Sequence, residues 1–145
     1  MPTETQLEKL KPDLIVLDDM MHKLGNDERL SSLFTKGSHH LGISVVYVVQ
    51  NIFDKGKQMR NISLNCHYII LMKYVRDKSQ IIHFARQFAP RKLKQFIAVY
   101  EDAINKPHGY LRIDSSPSTP ENIRLSSDFI PDVKKGGFSP TIYCI

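Results

Sequence analysis

Long apolar runs are absent from this chain. Nothing approaches the roughly 20 consecutive apolar residues that a membrane-spanning helix requires, so no span is expected. Cysteine is scarce: Cys66 and Cys144 lie far apart and in no CxxC spacing. That argues for reduced thiols and against a disulfide scaffold. The start, "MPTETQLEKLKPD", lacks the basic-then-apolar character of a secretory signal, so an intracellular location is expected. His39 and His40 have no HxxxH or HExxH spacing and no nearby cysteine, which leaves no zinc site to expect there. No repeat, no low-complexity tract and no GxxxxGK[ST] loop occurs anywhere.

What is present is the composition of an ordinary soluble domain, 41% apolar and 24% charged over 145 residues. The net charge of +5 tilts toward an anionic partner such as nucleic acid. Counted along the whole chain, the charge is spread out, apart from the cluster "PRKLKQF" around Arg91, Lys92 and Lys94. A solvated helix face explains that cluster equally well.

Three short apolar runs, "DLIVL", "ISVVYVVQ" and "YIILM", have the β-branched, continuous character of strands buried on both faces. Between and after them come helical patterns. "NDERLSSLFTK" has Asn26 or Asp27 as its cap, "RDKSQIIHFARQFA" has Asp77, and "PRKLKQFIAVYEDAI" has Pro90 in its first turn. "HGYLRIDSS" reads as a strand, "IRLSSDFIP" as a short one, and residues 131–145 as an irregular tail. The alternation predicts an α/β fold with a mainly parallel sheet, in a single domain over 1–130.

In such folds chemistry gathers at the carboxyl ends of the strands. Three polar groups occupy those ends: Asp18-Asp19, Gln50-Asn51, and Lys73 to Arg76. An aspartate closing a buried strand is how P-loop NTPases help hold Mg²⁺, and a following carboxylate can polarise the attacking water. The plain alternative is a solvated strand end. An amide such as Gln50 can donate to a phosphate and accept from a water, whereas Asn51 equally suits a turn. Arg76, with Lys73 and Lys36 as rivals, can meet a phosphate or simply pair with a carboxylate.

"LIVLDDMM", "LFTKGSHHLGISVVYVVQNIF", "YVRDKSQIIHFARQ", "YEDA" and "KPHGYLRID", in this order, resemble the genome-packaging ATPases of the FtsK–HerA superfamily. The likeness is to those of Maverick/Polinton transposons and related DNA viruses, and it runs from about Leu14 to Phe129. It implies a partial RecA-like P-loop NTPase core whose N-terminal P-loop unit is absent. By position it implies Asp18 as the Walker B aspartate for Mg²⁺, and Asp19 as the catalytic carboxylate. Gln50 becomes the sensor glutamine, with Asn51 beside the nucleotide. Arg76 or Lys36 becomes the trans-acting cation. "KGSHH" then reads as a loop touching DNA or the adjacent subunit.

The resemblance further implies ATP as the nucleotide, double-stranded DNA as the partner, a homo-oligomeric ring, and capsid proteins as further partners. It implies a nuclear or viral-factory location. It begins just before Walker B, so the chain is expected to be the C-terminal portion of an ATP-driven DNA packaging translocase, inactive toward ATP by itself. The strand that should separate "ISVVYVV" from "YIILM" is then missing, which leaves three outcomes: the flanking strands close up, another segment fills the gap, or the chain associates through that edge. A tendency to oligomerise or aggregate is expected. The alternative is a non-catalytic remnant or host-adopted module that binds nucleic acid or a partner ATPase.

Overall fold

The computed structural model describes residues 3–18, 20, 27–37, 42–51, 57–129, 137 and 140–145. The chain divides into two compact units, Met1–Cys66 and His67–Ile145.

The first unit opens with α1 (Glu4–Leu10). A reciprocal capping box starts it: the Thr3 hydroxyl accepts from the Gln6 N–H, and the Gln6 side chain accepts from the Thr3 N–H. Lys11 ends it in the left-handed region at φ 45°. β1 (Leu14–Asp18) follows, then α2 (Glu28–Ser32) and a π-helical turn at Leu33–Gly37. Asp27 caps α2, its Oδ1 accepting from the Arg29 N–H at 2.9 Å; Asn26 lies outside the described residues. β2 (Ser44–Val48) and α3 (Lys57–Asn65) complete the unit.

β1 and β2 pair in parallel, from Leu14 opposite Ser44 to Asp18 opposite Val48. Leu7, Leu17, Leu30, Leu33, Ile43 and Met59 are among the buried residues of their core, with Ile15, Val45 and Tyr47 partly buried against it. The alternate side chains Leu14, Val16, Val46 and Val48 remain about half exposed. A parallel sheet ordinarily has both faces covered; among the described residues of this unit, one face is. Cys66 packs on the core, and burial pushes its thiol up to about 11, which keeps it protonated and unreactive.

The second unit begins with β3 (Tyr68–Met72), then α4 (Ser79–Phe88) and α5 (Leu93–Ala103). Asp77 accepts from the Ser79 N–H at 2.9 Å ahead of α4. Pro90 stands in the turn before α5, which starts at Leu93 rather than at the proline. β4 (Tyr110–Asp114), a 3₁₀ turn at Glu121–Ile123, β5 (Leu125–Ser127) and β6 (Thr141–Tyr143) finish it. The tail expected to be irregular thus contributes a strand.

The four strands form an antiparallel sheet in chain order, so the expected mainly parallel sheet is corrected to one parallel pair and one antiparallel sheet. The reason lies in the connection. One crossover helix returns a chain parallel to the strand it left. Here two helices run out and back, so β4 starts opposite the end of β3, with Tyr110 beside Met72. The Tyr100 hydroxyl pins that corner: it donates to the Met72 carbonyl at 3.0 Å and accepts from the Tyr74 N–H at 3.2 Å.

Phe96, Leu111, Ile113 and Leu125 are fully buried in this unit. On the sheet, the Arg112 guanidinium stacks between the rings of Tyr68 and Phe129, 4.6 and 4.0 Å from their centroids. It also bonds Asp114 at 3.1 Å and the Ser126 hydroxyl at 3.2 Å.

Burial alone would raise the Asp114 pKa. The Ser116 N–H and hydroxyl, Thr119 and the Arg112 charge outweigh it and hold the carboxyl below its ordinary value. A depressed carboxyl contributes stability that is present above the unfolded-state pKa near 3.9 and disappears as pH falls through the folded value. The second unit is therefore expected to lose stability in acid below about pH 4, and Asp114→Asn to make that loss shallower while lowering stability at pH 7. Urea unfolding across an acid pH series measures both. Parallel profiles for the two proteins would mean that Asp114 is not the responsible group.

Candidate functional site

The parallel pairing in the first unit determines where the candidate side chains lie. Asp18 is the last residue of β1 and sits in register with Val48, the last of β2. Neighbouring strands lie about 4.8 Å apart, so the two strands end together. Gln50 and Asn51 follow Val48 by two and three residues, and so leave the same carboxyl edge as Asp18. Asp18 and Gln50 are exposed, and Asn51 is half-buried. Continuous β-branched runs create this arrangement: they pair as strands and stop where the polar residues begin.

Asp19, His39 and His40 lie outside the described residues, as does the side chain of Lys36. Arg76 belongs to the second unit, exposed in the loop between β3 and α4, with no ion pair among the described residues. Lys73, at the end of β3, lines a cleft of about 500 Å³ with Met72 and the turn Asn105–Gly109. Lys106 of that turn is ion-paired with Asp128.

Asp18, Gln50 and Asn51 are the described residues at this edge that could hold a magnesium–nucleotide complex. Magnesium keeps several waters and takes only one or two protein carboxylates, the rest of its shell coming from phosphate oxygens. Among the described residues no group of three or more His, Cys, Asp or Glu is arranged to hold a metal ion. No helix among them is long and apolar enough to cross a membrane.

The second unit carries a feature that whole-chain charge counting hides. Met1–Cys66 contains eight basic and eight acidic residues, whereas His67–Ile145 contains twelve basic and seven acidic. The whole excess of +5 therefore lies in the second unit. Summing charge by halves would have exposed it. No protein-family model, curated protein or solved structure matches the chain.

Proposed function

We propose that the chain is the Walker B-to-C-terminal portion of an ATP-driven double-stranded DNA packaging translocase, with its phosphate-cradling loop supplied by sequence outside these residues. The reading rests on the FtsK–HerA resemblance and on one observation, the in-register parallel pair that delivers Asp18 and Gln50 to one carboxyl edge. In this role Asp18 would hold Mg²⁺, which would supply charge neutralisation at the nucleotide phosphates. Asp19 polarises the attacking water as general base. Gln50, with Asn51 beside it, orients that water against the terminal phosphate. Arg76, or Lys36, stabilises transition-state charge from a neighbouring subunit of a ring.

Positioning and charge stabilisation carry phosphoryl transfer, and both need a cradle of backbone amides and a lysine. The 145 residues contain no such loop, so alone they are expected to give no measurable ATP turnover. A chain extended upstream to include an in-frame GxxxxGK[ST] segment provides the test. Magnesium-dependent hydrolysis that requires Asp18 and Asp19 supports the reading. An extended chain that hydrolyses ATP regardless of both carboxylates overturns the site assignment, and one that gives no hydrolysis leaves nucleic-acid binding without turnover as the function.

A further inference from the structure

We infer that the exposed cations of the segment Lys73–Lys94, which spans the loop into α4, α4 and the first turn of α5 and stops short of the acidic end of α5 at Glu101 and Asp102, are a contact surface for the phosphodiester backbone of nucleic acid. From Lys73 to Lys94 the chain carries seven basic residues, with Asp77 as the one acidic residue in the interval. Lys73, Arg76, Lys78, Arg86, Arg91 and Lys94 are all exposed. Among the described residues none of the six has an ion pair. Lys92 donates to the Ile145 carbonyl oxygen at 2.6 Å.

The contrast with the rest of the unit makes this more than a solvated helix face. Every other described basic residue of the second unit is neutralised by a carboxylate: Lys106 by Asp128, Arg112 by Asp114, and Arg124 by Glu121. Among the described residues the fold therefore pairs its cations elsewhere and leaves this one segment without ion pairs. The distribution concentrates field on one supersecondary element, which is how a protein attracts a polyanion.

Packing holds the segment in shape. Phe84, Phe88 and Phe96 meet with ring centroids 5.8 to 6.0 Å apart, clamping the end of α4 to the start of α5. Arg86, Arg91 and Lys94 lie around that clamp, and Lys73, Arg76 and Lys78 lie before the other end of α4. A ten-residue helix is about 15 Å long, so the two clusters stand apart by about four base-pair rises of 3.4 Å. That separation suits a continuous polyanion better than a single phosphate.

An anionic membrane is the other polyanion of this kind, and the apolar residues argue against it. Ile81, Phe84, Phe96 and Tyr100 are buried within the protein, which leaves Ile82 and Val75 as the exposed large apolar side chains of the segment. An interfacial helix needs a bulky apolar face to insert. The surface gives the double-stranded DNA of the proposed function a place to bind. It stands on charge and packing, so binding measured without nucleotide fails or succeeds independently of the nucleotide site.

The test titrates the full chain into a short DNA duplex at two ionic strengths, without ATP. The substitution set R76Q/R86Q/R91Q is expected to weaken binding about tenfold or more and to flatten the salt dependence by about two to three units of slope. The control set K9Q/K11Q/R60Q, which removes the same charge from the first unit, should change both much less. Replacing the three arginines by lysine should retain most of the binding. Lysine modification of the unaltered chain gives a readout that does not depend on variant folding: duplex DNA should protect Lys73, Lys78 and Lys94 more than Lys9 and Lys11. Equal effects of the two glutamine sets, absence of selective lysine protection, or tighter binding to phosphatidylserine vesicles than to DNA would each overturn the assignment.

Discussion

Replacing Phe96 by alanine is expected to remove about 3–5 kcal/mol from the second unit, the usual cost of truncating a fully buried phenylalanine. Phe96 has no exposed surface and touches two further rings, Phe84 at 6.0 Å and Phe88 at 5.8 Å. Truncation leaves a cavity where α4 meets α5, and the antiparallel sheet beneath cannot collapse to fill it without breaking its ladder. A unit of roughly 80 residues has about 4–12 kcal/mol of stability in total, so most of it is at stake. Denaturant unfolding should show a large fall in midpoint at an unchanged slope. The basic surface should lose its DNA affinity with the fold, since the clamp holds one of its two clusters. Phe129→Ala, at a half-exposed ring, should cost far less. A midpoint shift for Phe96→Ala no larger than that of Phe129→Ala would show that the three rings do not hold the helices together.

The sequence made the strands legible and left their directions hidden. "DLIVL" and "ISVVYVV" pair as their β-branched content implies, and "YIILM", "YLRID" and "LSS" each become strands. Whether β3 joins a parallel or an antiparallel sheet depends on how many helices follow it, and on a corner closed by Tyr100 across 28 residues from Met72. No local pattern contains that. The boundary between the units is equally silent, because α3 runs into β3 with only Cys66 and His67 between them and no proline or glycine marks the place. α1 announces itself through Thr3 and Gln6, a capping box easily passed over in a segment of mixed charge. β6 is three residues long, with Thr141 and Ile142 exposed, and only its pairing with β5 defines it. At the candidate site, Asp18 and Gln50 were legible because a strand's end is where its apolar run stops. The cations between Lys73 and Lys94, without ion pairs among the described residues, were not, since their significance depends on partners that Lys106, Arg112 and Arg124 find only in the folded unit.

In a chain that carries a P-loop ahead of residue Thr3, Asp18→Asn and Asp19→Asn should separate binding from turnover. Asparagine keeps the shape of aspartate and removes its charge. On the proposed function the charge at position 18 would hold magnesium against the phosphates, so Asp18→Asn should weaken magnesium-dependent nucleotide binding and lower turnover with it. At position 19 the same reading makes the lost charge that of the base, so turnover should fall about 10²–10⁴-fold with nucleotide affinity little changed. Gln50→Ala should act as Asp19→Asn does, because it removes an orienting group and leaves the phosphate-binding elements in place. Position matters to this reasoning: Asp18 closes the β1 ladder opposite Val48, so its substitution leaves the apolar core of the first unit untouched. A stability loss common to all three variants would therefore point to a structural role at the strand ends. Nucleotide titrations with and without magnesium, beside steady-state hydrolysis, distinguish the cases. If Asp19→Asn hydrolysed ATP at the parental rate while Asp18→Asn lost it, Asp18 alone would be the functional carboxylate and the water would need a base elsewhere. If both retained the parental rate, the assignment of β1 as a Walker B strand would fall, and Asp18 and Asp19 would be a solvated strand end.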